Sequence, residues 1–142
     1  MMTENALQNR VLDILVVEDD DLLNQVMCTQ LRVATGGSIR SARSGEEALK
    51  SIKAWVPSVL ILDMGLPDMN GEELVARLQE NSETRNLPLI VHTTLDLSKE
   101  QEQRLQLGPS KFVTKSTAFS DRLAELVVEL VASATRKQSQ LP

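Results

Sequence analysis

Val59-Leu60-Ile61-Leu62-Asp63-Met64-Gly65-Leu66-Pro67-Asp68-Met69-Asn70-Gly71 reads as a short apolar strand that ends on a carboxylate and passes into a turn. Four consecutive apolar residues followed by turn formers suit a strand buried on both faces. Gly, Pro, Asp and Asn crowd the residues after it, as they do wherever a chain is punctuated. Asp63 therefore stands at a strand's exit. Upstream, Ile14-Leu15-Val16-Val17 closes on Glu18-Asp19-Asp20 in the same manner. Two strands thus deliver three or more carboxylates to one sheet edge, and such a cluster calls for a cation.

Outward from these two runs, apolar stretches of strand length alternate with helical patterns, the signature of parallel βα units. Strands are expected at 13–17, 38–42, 59–62, 88–93 and 111–114, the middle ones buried on both faces. Leu23, Val26, Met27 and Leu31 form one helical stripe, and Leu74, Val75 and Leu78 another. A wider stripe, Leu123, Leu126, Val127, Leu130 and Val131, is placed to cover one sheet face. Ser44, Asn70 and Ser98 each precede Glu or Gln by three residues, marking helix starts. Gly36-Gly37 and Gly108-Pro109 read as stops of the first and fourth helices. A doubly wound α/β sheet follows, with its ligand site at the carboxyl ends of the strands.

The chain's 142 residues make about one domain, large enough to bury roughly 68% of the surface its unfolded form exposes. Residues 1–10 read as a polar tail, 11–136 as the domain and 137–142 as a second tail. Fifteen Lys and Arg against twenty Asp and Glu leave a net charge of -5, which argues against nucleic acid as a direct partner. No apolar stretch approaches the ~20 residues that span a bilayer. The single Cys28 excludes an internal disulfide and suits a packing role. A reduced, cytoplasmic protein with no membrane association is expected.

The strand-end rule gathers Glu18, Asp19 and Asp63 and adds Thr93, at the end of strand four, and Lys115, just after strand five. Hard oxygen ligands in this number suit Mg²⁺. In that reading Glu18 and Asp19 hold the metal, and Asp63, at the head of the central run, is the nucleophile that takes a phosphoryl group. Thr93 hydrogen-bonds a phosphoryl oxygen, and Lys115 pairs with Asp63 or the phosphate. Asp20 and Asp21 read better as helix-capping or solvated residues. His92 alternates away from Thr93 and reads as a packed or partly exposed histidine.

In order and spacing, Leu15-Val16-Val17-Glu18-Asp19, the segment from Leu62 to Gly71, Pro88-Leu89-Ile90-Val91-His92-Thr93 and Phe112-Val113-Thr114-Lys115 resemble the receiver domain of bacterial two-component response regulators. The resemblance implies a flavodoxin-like parallel sheet of five strands, order 2-1-3-4-5, with five helices. It implies that a histidine kinase or histidine phosphotransfer protein donates a phosphoryl group to Asp63. Mg²⁺ would be held by Glu18, Asp19, Asp63 and the Gly65 backbone carbonyl. Thr93 and Phe112 become the switch residues, and the face of helix four, strand five and helix five meets a downstream protein target or forms a homodimer. The chain would be a signalling phosphoacceptor rather than an enzyme, assisting its own phosphorylation and dephosphorylation. With no segment after residue 136 that fits a DNA-binding output domain, it is expected to be either a stand-alone receiver acting through protein contacts or a receiver cut from a longer chain.

Several residues depart from the family's pattern. Ser116 stands where a cis proline is common, and a cis bond before a non-proline residue costs roughly 2.5–4 kcal/mol, so a trans Lys115–Ser116 bond is expected. Thr94 is bulkier than the usual alanine and is expected to narrow access to the phosphoryl group. Phe112 lacks the hydroxyl of the commoner tyrosine, which favours an inward ring. Gly65 and Leu95 offer no polar side chain to guide an attacking water, which is consistent with a long-lived phosphoryl state. Two rivals stand beside this reading. An Mg²⁺-dependent phosphohydrolase with a nucleophilic Asp would ordinarily place a second carboxylate where Gly65 is. A receiver-like module that no longer phosphorylates would be expected to have lost Asp63 or the acidic pair.

Overall fold

Each of the five apolar runs forms a strand, and each is followed by a helix. The structure is a computed structural model that describes residues 12–94, 96–114 and 121–139, the last with side chains for 122–134. In chain order the elements are β1 (Asp13–Val17), α1 (Asp21–Thr35), β2 (Ser38–Ala42), α2 (Gly45–Ala54), β3 (Val59–Leu62), α3 (Gly71–Gln79), β4 (Leu89–Thr93), α4 (Lys99–Arg104), β5 (Ser110–Thr114) and α5 (Asp121–Ser139). The strands form one parallel sheet in the order β2-β1-β3-β4-β5. This is the doubly wound arrangement expected from the sequence.

Alternation along the strands divides the core into two layers. Leu15, Val17, Leu60, Leu62, Leu89 and Val91 face α2 and α3, where they meet Ala48, Ile52, Leu74, Val75 and Leu78. Ile14, Val16, Val59, Ile61 and Ile90 face the other way, onto Met27, Cys28 and Leu31 of α1 and the Leu123, Leu126, Val127, Leu130 and Val131 stripe of α5. Strands β3 and β4 are buried along their whole length, as continuous apolar runs between two helical layers require.

The helix starts follow from their caps. Ser44, Asn70 and Ser98 accept hydrogen bonds from the backbone N–H groups of Glu47, Glu73 and Gln101, and Ser98 with Gln101 completes a capping box. Asp20 does the same for α1 through Leu23 N–H, the capping role expected of it. At the other end of α1, Gly36 takes the left-handed conformation (φ 68°) and its N–H closes on the Arg32 carbonyl.

Four boundaries differ from the sequence reading, the slightest being β5, which begins at Ser110 rather than at 111. Strand β4 begins at Leu89, because Pro88 has no N–H for the ladder, although its carbonyl still accepts from Leu60 N–H at 2.9 Å. Helix α4 ends at Arg104, capped at Leu105, before the Gly108-Pro109 stop is reached. Gly108 instead lies against the Asn86–Leu87 backbone, where a side chain has no room, and its N–H donates to Leu87 O at 2.9 Å. Helix α5 runs to Ser139, three residues past Arg136, where the domain was expected to end. The N-terminal tail 1–10 lies outside the described residues.

Candidate functional site

Register brings the site together. Val17 of β1 pairs with Leu62 of β3, so the next residue on each strand, Glu18 and Asp63, leaves the sheet side by side. Both backbones are held one step past the strands, Glu18 N–H donating to Ala42 O and Asp63 N–H to Val17 O, each at 3.0 Å. Glu18 is 2% exposed and Asp63 8%, whereas Asp19 is open to solvent. One carboxylate oxygen from each of the three lies within 4.8 Å of the others. Leu62 in turn pairs with Val91 of β4, which sets Asp63 level with His92 and places buried Thr93 one step beyond. His92 shares the sheet face of Ile90, toward the α1 and α5 layer, and is buried, the packed of the two alternatives left open for it.

Thr93 pairs with Thr114 of β5, the residue before Lys115 in the sequence. Lys115 itself, Ser116 and Leu95 lie outside the described residues, and with them the ammonium position and the expected trans bond. Thr94 is exposed. Phe112 is half-buried, its ring packed against the α2 and α3 layer rather than fully inside it.

The donor set fits Mg²⁺. That ion takes hard oxygens at ~2.0–2.1 Å and keeps several waters, so two or three carboxylates supply its protein share. Here two of the carboxylates are buried at adjoining strand ends and the third is exposed, which leaves a solvent side for waters or a substrate oxygen. Gly65 borders the same place, since a β-carbon added there would stand 4.0 Å from Asp63 Oδ2. That contact is an ordinary one, so Gly65 leaves space beside the carboxylate without being forced by sterics.

The loop that carries Gly65 is anchored on both sides of it. Met64 and Leu66 are buried in the core, Gly71 N–H donates to Met64 O at 3.2 Å, and a bridge joins Gly65 to Asn70. Asp68 ties the loop across to α2, its Oδ1 accepting from Gly45 N–H at 2.8 Å and its Oδ2 from Glu46 N–H at 2.9 Å. The Glu46 and then the Gly45 N–H hold the Asp68 carboxyl below its ordinary pKa, as expected for an anion at a helix start. Neither Asp68 nor buried Asn24 was singled out from the sequence. Asn24 carried a signal, because with Cys28 and Leu31 it falls at helical spacing on the buried face of α1, where a polar residue needs an explanation.

The comparisons with known proteins agree with this geometry. A family model, "Response regulator receiver domain", matches residues 14–127. The polar-differentiation response regulator DivK of Brucella ovis is 29% identical over 102 residues, covering 72% of this chain and 82% of its own. The phosphate regulon transcriptional regulatory protein PhoB of Rhizobium meliloti is 32% identical over 113 residues, covering 80% of this chain; the match spans about half (49%) of that regulator's length. Among solved structures, the receiver domain of the Francisella response regulator 1452 superposes with a TM-score of 0.73 at 28% identity, over 85% of this chain and 97% of that one. With a parallel sheet of this order, an acidic cluster at its carboxyl edge and a family match across both, the chain belongs to the response regulator receiver domain family.

Proposed function

We propose that Asp63 is the phosphoacceptor of this receiver and that it takes a phosphoryl group from a phosphohistidine of a kinase or phosphotransfer protein in an Mg²⁺-dependent reaction. The observation that carries this reading is the grouping of Glu18, Asp19 and Asp63 within 4.8 Å at the carboxyl ends of β1 and β3. A carboxylate oxygen of Asp63 forms the new O–P bond as the donor's N–P bond breaks, its electron pair staying on the imidazole nitrogen. Glu18, Asp19, Asp63 and the Gly65 carbonyl are the groups that would hold Mg²⁺. The chemistry Mg²⁺ supplies when bound is neutralisation of charge on the phosphoryl oxygens.

Thr93, buried at the end of β4, is the group we assign to a phosphoryl oxygen, and Lys115 the cation that answers its charge. Thr93 and half-buried Phe112 then bias α4, β5 and α5 between two arrangements, since modification can only shift an equilibrium by its differential contacts. That face is where a downstream protein or a second copy would dock. Action through protein contacts in the cytoplasm, without binding DNA, belongs to the same reading, and the acidic net charge of -5 supports the part that concerns DNA. No helix among the described residues is long and apolar enough to cross a membrane.

The test is intact mass after incubation with a small acyl-phosphate donor, with and without Mg²⁺, on the wild type and Asp63→Asn. One phosphoryl group gained only with both Mg²⁺ and Asp63 is the expected result. No gain in the presence of bound Mg²⁺, repeated with a phosphohistidine donor, would move the assignment to the phosphorylation-silent binding module.

A further inference from the structure

Asn24 is the buried polar side chain of α1, 3% exposed, and its amide NH₂ donates to the start of the acidic loop and to the strand end beside it. Its Nδ2 donates to the Glu18 carbonyl at 2.9 Å and to the Ala42 carbonyl at 3.3 Å. The Ala42 carbonyl also accepts from Glu18 N–H at 3.0 Å, so Asn24, the end of β2 and the Glu18 backbone close a ring around the residue that begins the acidic cluster. The amide orientation is set from the far side, because Cys28 Sγ donates to Asn24 Oδ1 at 3.3 Å. Two carbonyls demand the NH₂ group and a thiol S–H takes the oxygen, which admits one orientation.

We propose that Asn24 is a positioning residue for the metal site: it fixes the peptide between Glu18 and Asp19 and thereby the spacing of their two carboxylates from Asp63. The proposal rests on the Mg²⁺ reading given above. Burial makes the clamp specific. A surface asparagine would exchange its partners for water, whereas the Glu18 carbonyl has an interior neighbour chosen by α1 and held by burial. The loop also uses its own side chain, with Asp20 N–H donating to Glu18 Oε2 at 3.2 Å, so a shift of the Glu18 peptide is transmitted to that carboxylate. Asn24 does not touch a reacting atom; it acts through Glu18 and Asp19. Partners of this kind, one step removed from the ligands, typically change metal affinity about 10–100-fold when removed.

The experiment titrates Mg²⁺ by calorimetry into the wild type, Asp19→Asn and Asn24→Leu, with urea unfolding of each in the absence of metal. Leucine keeps the volume and the buried character of the position and removes all three hydrogen bonds. The expected result is Mg²⁺ binding to Asn24→Leu weakened about 10–100-fold, with a cooperative urea transition retained. Wild-type affinity in a folded Asn24→Leu overturns the inference. Absence of binding in the wild type overturns the metal reading and this inference with it, while binding in the wild type that Asp19→Asn loses leaves the metal reading standing whatever Asn24→Leu does. Should Asn24→Leu not fold, the wild type decides alone. Its Asn24 Nδ2 proton resonances are expected to shift with Mg²⁺ at the same midpoint as the Asp63 amide, and resonances that stay fixed through saturation overturn the proposal.

Discussion

The two ends of the sheet carry carboxylates on the same strand, and the fold handles them in opposite ways. At the amino end of β1, Asp13 receives both arms of Arg40, Nε at 3.2 Å and Nη2 at 3.1 Å. The same guanidinium caps the end of α2, donating to Ser51 O at 3.0 Å, Ser51 Oγ at 2.7 Å and Trp55 O at 2.8 Å. At the carboxyl end, Glu18, Asp19 and Asp63 converge on one another. A planar fork that fills its donors on a carboxylate and two helix carbonyls locks strand to helix. Like charges gathered at the opposite rim do the reverse. That carboxyl rim is where open α/β sheets place their ligand sites.

That contrast is open to attack at both ends. The largest effect is expected from Arg40→Met, which leaves Asp13 and the two helix carbonyls without their shared donor. The expected loss is about 1.5–3 kcal/mol of stability, the worth of hydrogen bonds to a charged group, read from urea unfolding. Phosphoryl uptake by the folded fraction should be unchanged. If uptake falls with stability intact, the amino rim is not the purely structural end described here.

At the carboxyl rim the sign should invert. Two unit charges ~5 Å apart repel by roughly 3 kcal/mol at an effective dielectric of ~20, and solvent around Asp19 reduces that. Asp63→Asn is therefore expected to raise metal-free stability by about 1–2 kcal/mol, less at high salt. Addition of Mg²⁺ should raise the melting temperature of the wild type by mass action and leave that of Asp63→Asn nearly where it was. A metal-free Asp63→Asn less stable than the wild type would show that the carboxylates are held by favourable contacts rather than against mutual repulsion.

The carboxyl rim was also the easier of the two to read in the sequence. Glu18, Asp19 and Asp63 each end an apolar run, so strand periodicity and the strand-end rule were enough to bring them together. Thr93 followed from the same rule. The amino rim has no such signal. Nothing in Ser38-Ile39-Arg40-Ser41-Ala42 says that Arg40 reaches across 27 residues to Asp13, because that pairing depends on β1 and β2 lying side by side in the Asp13–Ser38 register. Asn24 and Asp68 were missed for a related reason. Their partners are backbone groups, Ala42 O and Glu18 O for one and Gly45 and Glu46 N–H for the other, which every sequence contains and none advertises. The place where α4 stops was misjudged because Gly108 looks like a helix stop, while its actual role is close approach to the Asn86–Leu87 backbone.

The smallest effect expected, and the one that separates the rims by pH, concerns Asp68. Its carboxyl is held below the ordinary value by the Glu46 and Gly45 N–H groups, so the folded state binds a proton less readily than the unfolded chain. The stabilisation is thus fully present above the unfolded carboxyl range, near pH ~4, and is lost as pH falls through the lowered folded value. Asp68→Asn removes this dependence and keeps the shape, so its melting temperature should lie below that of the wild type at pH 7 and approach it on acidification. A gap that is the same at pH 7 and pH 2.5 would mean that the neutral form of the side chain caps α2 as well as the carboxylate does. At the amino rim, the bonds from Arg40 to Ser51 O and Trp55 O end on backbone carbonyls, which do not titrate. The loop that presents Gly65 beside Asp63 is therefore tethered by a charge that acid can remove, while part of the fastening at the sheet's other end rests on carbonyls that acid leaves unchanged.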